Sequence, residues 1–271
     1  LLYSRFLIKA LKSIGELNIN EPFKGLFCQG MVCHNTYKDE DGKWVFPENI
    51  VKKNNILIDV TTEKKVKLVR SEKMSKSKKN IVDPVNIIKK YGADTARLFM
   101  LSDSPPERNL DWSNNGIEGA KKFINKIWTY IQELDISNSL TASEIKDASA
   151  ISLKKELNNC IYKVTKCLDN FQYNVAVASL REFSNIFLNI KKVNNNKDLS
   201  AVLYESLTKW IIMISPMIPH LAEELWKMLG YKSMVVEQSW PEFDTTLLEN
   251  TSVKLVVQIN GKKKLILSIE K

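Results

Sequence analysis

The chain has 271 residues, 44% of them hydrophobic and 26% charged, the composition of a soluble globular protein able to bury one large core or two ordinary ones. Lysine and arginine outnumber aspartate and glutamate by 40 to 31, a net charge of +9; such an excess attracts phosphates without by itself requiring nucleic acid. No apolar run approaches the roughly 20 residues that span a bilayer. Arg5, Lys9 and Lys12 interrupt the opening segment, which does not read as a secretory leader, so a cytoplasmic protein away from membranes is expected.

In chain order, Leu1 to Gly15 reads as an apolar helix closed by its glycine. Gly25-Leu-Phe-Cys-Gln-Gly-Met-Val32 predicts a short buried strand. Asp39-Glu-Asp-Gly42 is a turn signal, with strand candidates at Ile56 to Val60 and Val66 to Val69. His34 to Glu72 together read as a small polar β insertion. A lysine-rich loop follows, and Asp83-Pro84 then starts a helix that Gly92 ends. Asp94 to Leu101 suits a short helix or a strand, and Ser104-Pro-Pro-Glu107 stops it.

From Asn115 the period is helical: Ile117, Ala120, Ile124, Ile127, Ile131 and Leu134 recur at steps of three and four. After a polar linker, Asp135 to Ala150, come Leu153, Leu157, Cys160, Val164 and Cys167, then Ala176, Leu180, Phe183 and Phe187. A break from Lys191 to Lys197 precedes Leu203, Leu207, Trp210 and Ile214, and Pro219 opens a fifth helix ending at Gly230. Such stripes bury against one another as a bundle, with Trp128, Trp210 and Trp226 expected in its core. The tail alternates through Val253, Leu255, Val257 and Ile259, turns at Asn260-Gly261, and alternates back through Leu265, Leu267 and Ile269.

Cys28 and Cys33 have no second pair to complete a zinc site, and the chain has only two histidines, so no metal site is expected. Cys160 and Cys167 read as reduced core residues. His220, before Glu223 and Glu224, reads as a capping or core-edge residue rather than a catalyst. Glu223 and Glu224 are adjacent rather than facing, so they form no acid/base pair. Asp94 and Arg97, three apart, are placed to pair on a helix surface.

That loop, Lys73-Met-Ser-Lys-Ser-Lys-Lys79, packs four lysines into seven residues with no acid among them. A lysine run by itself reads as a solvated basic loop. This one lies between a β-like segment and a proline-started helix, at a plausible ligand edge of an α/β unit. Its wording resembles the second signature of class I aminoacyl-tRNA synthetases. Around it, Leu1-Leu-Tyr-Ser-Arg-Phe6, Glu21-Pro-Phe23, Gln29-Gly-Met-Val32, Lys78-Lys79-Asn80, Tyr91-Gly-Ala-Asp-Thr-Ala-Arg97 and Asp111-Trp-Ser113 are similar to the leucyl enzymes of bacterial type. Pro219-His-Leu-Ala-Glu-Glu-Leu-Trp226 resembles the anticodon-binding bundles of the leucyl, isoleucyl and valyl group, and Val257-Gln-Ile-Asn-Gly-Lys262 the leucyl opening into a carboxyl-terminal domain.

The resemblance implies an α/β remnant of a Rossmann-like class I catalytic domain, an α-helical anticodon-binding bundle and a truncated β-containing module. Residues 1–33 and 73–104 would form the catalytic remnant, 34–72 an insertion like the leucine-specific domain, 105–250 the bundle and 251–271 the start of the last module. It implies leucine–tRNA ligation, with ATP as substrate, Mg²⁺ carried by its phosphates, and leucine and tRNA(Leu) as partners of a monomer. Lys76 is the residue it assigns to catalysis, within an ATP-phosphate loop of Lys73, Met74, Ser75, Lys76 and Ser77. Ammonium and hydroxyl donors that tighten on charge developing at the phosphates lower such a barrier. The place of Asp94 and Arg97 in a motif of the family that the chain resembles implies that they support the lysine loop. Lys122 and Lys126, four apart on the side of their helix opposite Ile117, Ile124 and Ile131, read as a solvated face; family placement makes them tRNA-phosphate contacts.

Lys121-Lys122-Phe123 and Lys262 to Lys264 depart from the family by carrying lysine where arginine is usual, which keeps charge but loses bidentate geometry. No first signature of the His-Ile-Gly-His type, editing domain or leucine pocket is found. All are expected before Leu1, so the isolated chain is expected to be inactive alone. The rivals are a non-catalytic tRNA-binding fragment and a synthetase for isoleucine or valine.

Overall fold

The computed structural model describes residues 1–134, 145–190, 196–248, 252–260 and 262–270. Helix α1 (Leu2–Ser13) ends where Gly15 takes φ +82°, a left-handed turn that a side chain would strain. None of its residues is buried. Arg5 on α1 donates twice to Glu21, at 2.8 Å each, and holds the following segment back along the helix.

Residues 14–31 form no helix or strand, which corrects the expected buried strand from Gly25 to Val32. Leu26 is 72% exposed, and only Val32 enters a strand. The reason is the backbone. A buried run needs partners for its amides and carbonyls. Here partners begin only near its end, where Gly30 N–H donates to Pro106 O at 2.8 Å and Leu110 N–H to Met31 O at 2.9 Å. Phe27 nevertheless stacks on Phe171, centroids 4.7 Å apart.

The sheet contains β1 (Val32–Asp39), β2 (Trp44–Val45), β3 (Ile50–Lys53), β4 (Ile56–Asp59), β5 (Lys65–Lys73) and β6 (Leu110–Asp111), in the order β2-β1-β5-β4-β3. Neighbours along that path run antiparallel. Strand β6 adds to β1 in parallel, with Val32 opposite Leu110, the one parallel pairing among the described residues. Asn54 and Asn55, at φ +44° and +63°, form the two-residue turn between β3 and β4. Asparagine tolerates that left-handed geometry.

Asp83 accepts from Val85 N–H at 2.9 Å and starts α2 (Pro84–Tyr91); Gly92 at φ +90° ends it. The ambiguous segment after it is a helix, α3 (Ala93–Ser102), which buries Thr95, Leu98 and Phe99. Then follow α4 (Asn114–Glu133), α5 (Ala148–Asp169), α6 (Tyr173–Phe187), α7 (Lys197–Ile214) and α8 (Pro219–Met228). Side chains of Ser113, Asp147 and Asn196 cap α4, α5 and α7 by accepting from backbone N–H groups. One continuous core runs from Tyr91, Leu98 and Phe99 through all five later helices to Val235.

Trp210 and Trp226 are buried in that core, and the Trp210 indole N–H donates to Leu180 O at 3.0 Å. Trp128 is not: it is 37% exposed. The buried stripe of α4 is Ile117, Ala120, Ile124, Ile127 and Ile131. Trp128 follows Ile127 directly and is turned off that stripe by about 100°. Cys160 and Cys167 are buried as expected, and burial pushes the Cys160 thiol up to about 12.

Beyond α8 the chain folds back across α5. Asn158 and Asp244 exchange reciprocal hydrogen bonds of 2.7 Å, and the Trp240 indole N–H donates to Thr165 Oγ1 at 2.8 Å. Strands β7 (Ser252–Ile259) and β8 (Lys262–Glu270) form an antiparallel hairpin, with Asn260 left-handed at φ +53° in its turn. Gly261 and most of the two predicted linkers, residues 135–144 and 191–195, lie outside the described residues. No described helix is long and apolar enough to cross a membrane.

Candidate functional site

The lysine loop leaves the sheet where β1 and β5 end together. Cys33 pairs with Lys73 in the last register position, and Met74 N–H donates to Val32 O at 3.1 Å. From there to Asn80 the chain forms a compact turn. Lys79 N–H donates to Lys76 O at 3.2 Å, and Lys79 itself is left-handed at φ +53°. Ser75 Oγ lies 3.3 Å from Ser77 Oγ and accepts from Lys78 N–H at 3.4 Å.

Asn80, fully buried, closes the turn. Its Oδ1 accepts from Ser75 N–H at 2.9 Å, while Nδ2 donates to His34 O and Glu72 O, both at 3.1 Å. His34 Nδ1 in turn meets Asn80 O at 3.3 Å. Burial holds the His34 imidazole below its usual range, partly opposed by this backbone contact.

The four lysines of the loop do not share one role. Lys78 is ion-paired with Glu72, which also receives Arg70 at 2.7 Å. The Lys79 ammonium lies 5.3 Å from the centre of the Phe46 ring. Its charge adds weakly to the lowering of the Asp59 carboxyl, whose chief cause is the Thr61 N–H it accepts. Lys73 and Lys76 are exposed, and among the described residues neither has an ion-pair partner. Met74 and Ser75 are half-buried and Ser77 is exposed. The anchored turn thus presents two open ammonium groups and a pair of hydroxyls, a set that suits phosphate oxygens.

Lys122 and Lys126 stand on another element. Both are exposed on α4, along an open groove shared with Asn125, Thr129, Tyr130, Glu133 and Leu188 and not with the loop. Glu133 puts a carboxylate at one end of that basic stretch. The Tyr130 hydroxyl is within 2.7 Å of Phe187 O and 2.9 Å of Ile190 O, fixing α4 against the end of α6.

Two sequence expectations are corrected. Asp94 and Arg97 do not pair with each other or brace the loop. Asp94 accepts from Leu221 N–H at 2.7 Å and lies 2.8 Å from His220 Nδ1. Arg97 donates to Pro216 O at 2.6 Å and Met217 O at 3.1 Å. Their contacts lie at the α7–α8 corner, where α3 packs against α8. Glu223 has a structural role, accepting from Val235 N–H at 3.1 Å and from Val236 N–H at 3.4 Å. Asn80 is the residue that sequence reasoning misses. Its only signal there is a place in Lys78-Lys79-Asn80, since the carbonyls it meets come from strands outside that triplet.

A family model described as the anticodon-binding domain of tRNA ligase matches residues 152–271, and one for class I tRNA synthetases (I, L, M and V) matches residues 58–113. Leucine–tRNA ligase of Paramagnetospirillum magneticum is 45% identical over 272 residues, covering 100% of this chain and 31% of that enzyme. That of Wolbachia pipientis subsp. Culex pipiens is 42% identical, covering 100% and 32%. The crystal structure of a ternary complex of Agrobacterium radiobacter K84 agnB2 LeuRS with tRNA and LeuAMS superposes with a TM-score of 0.69 at 25% identity, covering 100% of this chain and 30% of that one. The chain spans roughly a third of the length of the curated relatives it matches.

Proposed function

Because the chain belongs to the leucyl-tRNA synthetase family and matches a carboxyl-terminal portion of those enzymes, we propose that it serves the ligation of leucine to tRNA(Leu), with its lysine loop acting on the phosphates of ATP. The leucine carboxylate attacks the α-phosphate, the bond to the β-phosphate breaks, and pyrophosphate leaves. The terminal ribose hydroxyl of the tRNA then takes the leucyl group and AMP departs. Mg²⁺ enters with the nucleotide substrate.

In this reading Lys76 meets the charge that develops on the transferring and leaving phosphates, where a positioned donor is worth most. Lys73 adds charge at the base of the loop, Met74 tethers it, and Ser75 and Ser77 bring hydroxyls and close backbone approach. Residues 1–33 and 73–104 belong with the catalytic domain, 34–72 form its insertion, 105–250 receive the tRNA, with Lys122 and Lys126 against its phosphates, and 251–271 open the last module. The protein works as a cytoplasmic monomer.

The observation that carries the reading is the division of labour in the loop. Lys78 and Lys79 are engaged by Glu72 and Phe46, whereas Lys76 projects from a pinned turn with no carboxylate to neutralise it. The test is Lys76→Ala in the complete synthetase, read by leucine-dependent ATP–pyrophosphate exchange. Loss of one transition-state donor predicts a slowing of about 10²- to 10³-fold with tRNA affinity little changed. A change under roughly threefold removes Lys76 from the mechanism.

A further inference from the structure

We propose that Asn80 is the positioning residue of the lysine loop: its buried carboxamide fastens the Ser75 amide of the loop to the end of the β1–β5 ladder and thereby sets where Lys76 stands. The inference rests on the reading of that loop as a phosphate-binding element.

Asn80 reaches three segments at once. Its oxygen takes the Ser75 N–H at 2.9 Å, and its nitrogen faces His34 O at 3.1 Å on β1, and Glu72 O at 3.1 Å and Lys73 O at 3.4 Å on β5. A carboxamide carries an acceptor and two donors on one short stem. An ionised carboxylate would put an acceptor against these carbonyls where the nitrogen now donates, and an apolar side chain would drop these bonds and leave the Ser75 amide without its acceptor in a site closed to water. Ser75 directly precedes Lys76, and the turn closed by Lys79 N–H on Lys76 O springs from that pinned amide. Releasing it displaces the ammonium from the phosphates, and a shift of about 1 Å is enough to cost about 10²-fold in rate.

The experiment compares Asn80→Ala, Asn80→Asp and Lys76→Ala in the complete synthetase. Each is measured by leucine-dependent ATP–pyrophosphate exchange across pH, by transfer from preformed leucyl-adenylate to tRNA, and by hydrogen exchange at the Ser75 amide. Asn80→Ala is expected to lower kcat for exchange by about 10- to 100-fold with little change in the leucine KM. The Ser75 amide loses protection, while adenylate-to-tRNA transfer and tRNA affinity stay near wild type.

Asn80→Asp is the sharper variant. While protonated, the introduced carboxyl still donates one hydrogen bond to the carbonyls, so exchange is partly retained at low pH and falls as the group ionises, a limb absent from the wild type. The charged and titratable groups around it are Glu72 and Lys73 on β5, His34 on β1, and Lys78 in the loop. Burial among carbonyls and the charge of Glu72 raise the pKa of that carboxyl, while the two lysines lower it.

If Lys76→Ala slows exchange but Asn80→Ala leaves it within about threefold, Asn80 is idle and the phosphate reading stands alone. If Lys76→Ala is silent, the phosphate reading falls and takes this inference with it. Equal loss of exchange, transfer and tRNA affinity in Asn80→Ala marks a merely structural residue and overturns the proposal. Should Asn80→Ala fail to fold, the Asn80→Asp pH limb decides, and its absence is fatal.

Discussion

Asp94 on α3 holds the start of α8 through His220, whose Nδ1 lies 2.8 Å from Asp94 Oδ1, and through the Leu221 amide at 2.7 Å on the other oxygen. A carboxylate at a helix N-terminus meets unpaired N–H groups and the positive end of the helix dipole. Arg97, one turn later, takes the carbonyls of Pro216 and Met217 at the end of the preceding helix. Helix α3 is therefore bolted to the bundle at one corner. Pro219-His-Leu-Ala-Glu-Glu-Leu-Trp226 is that corner's counterpart: Leu221, Ala222, Leu225 and Trp226 are buried, and Glu223 pins the next turn.

Asp94→Ala is accordingly expected to destabilise the folded protein by about 2 to 3 kcal/mol, since hydrogen bonds to a charged group contribute about 1.5–3 kcal/mol. Asp94→Asn, which keeps one acceptor, loses less. Urea denaturation of the two variants reads the difference. A loss below about 0.5 kcal/mol for the alanine variant, the range of ordinary surface substitutions, contradicts the joint.

Gly30 offers a steric test. A Cβ there would come within 2.0 Å of Arg108 O and 2.7 Å of Asn109 N, backbone atoms that cannot rotate away. Gly30→Ala is expected to force apart the contact that leads into β1 and β6, at the upper end of the roughly 1–3 kcal/mol of an overpacked site. Gly25→Ala, where nothing lies within 4 Å, is the control. Equal melting temperatures for the two variants refute the close approach.

How much of this is legible in the sequence depends on the range of the interaction. The bundle helices carry their own instructions: the buried stripe of α4 and the capping residues Ser113, Asp147 and Asn196 lie within a turn of what they determine. The apolar run from Gly25 to Val32 reads the same whether covered or open, and only its neighbours decide. Trp128 shows the limit of a stripe assignment, because one residue along a helix turns a side chain off the core face. In sequence the loop lysines look like equals, yet Glu72 and Phe46 engage two of them across the fold. Asn80 is invisible there as a structural element for the same reason: its partners His34 and Glu72 are 46 and 8 residues away.

Trp128 also yields a spectroscopic prediction. It is 37% exposed, whereas Trp210 and Trp226 are buried. Trp128→Phe is expected to lower the iodide-accessible fluorescence, to which the half-buried Trp44, Trp112 and Trp240 also contribute, and Trp210→Phe to leave that fraction intact. Trp210→Ala opens a core cavity and is expected to cost about 3–5 kcal/mol. Accessible emission unchanged by Trp128→Phe would place that indole inside after all.

His34 gives the loop anchor a pH dependence. Burial lowers its folded-state pKa below the usual value, so the unfolded chain takes up a proton first as the solution is acidified. The stabilisation is fully present above about pH 6.5, the unperturbed value, and is lost as pH falls through the lower folded value. Thermal melts between pH 7.5 and 5.5 should show this loss in the wild type and a shallower one in His34→Gln. Only two histidines are present, so the difference isolates this ring. Parallel pH profiles contradict it.

The last prediction separates electrostatic docking from a merely solvated face on α4. Lys122 and Lys126 are exposed and line a groove that also contains Glu133. If the two ammonium groups neutralise tRNA phosphates, each releases condensed counterions, and log affinity falls linearly with log salt. Double-stranded nucleic acid loses about 0.9 in slope for each contact removed, and single strands about 0.7. Lys122→Ala and Lys126→Ala should each weaken tRNA binding across sequences and flatten the salt dependence by nearly one unit. Glu133→Gln should strengthen binding at low salt, because it removes a repelling charge from the same groove. Melting temperature should move little in all three, since none of these side chains is buried. Binding titrations from about 50 to 200 mM salt distinguish the cases. Unchanged slopes in both lysine variants, with Glu133→Gln equally silent, would return this face of α4 to solvent.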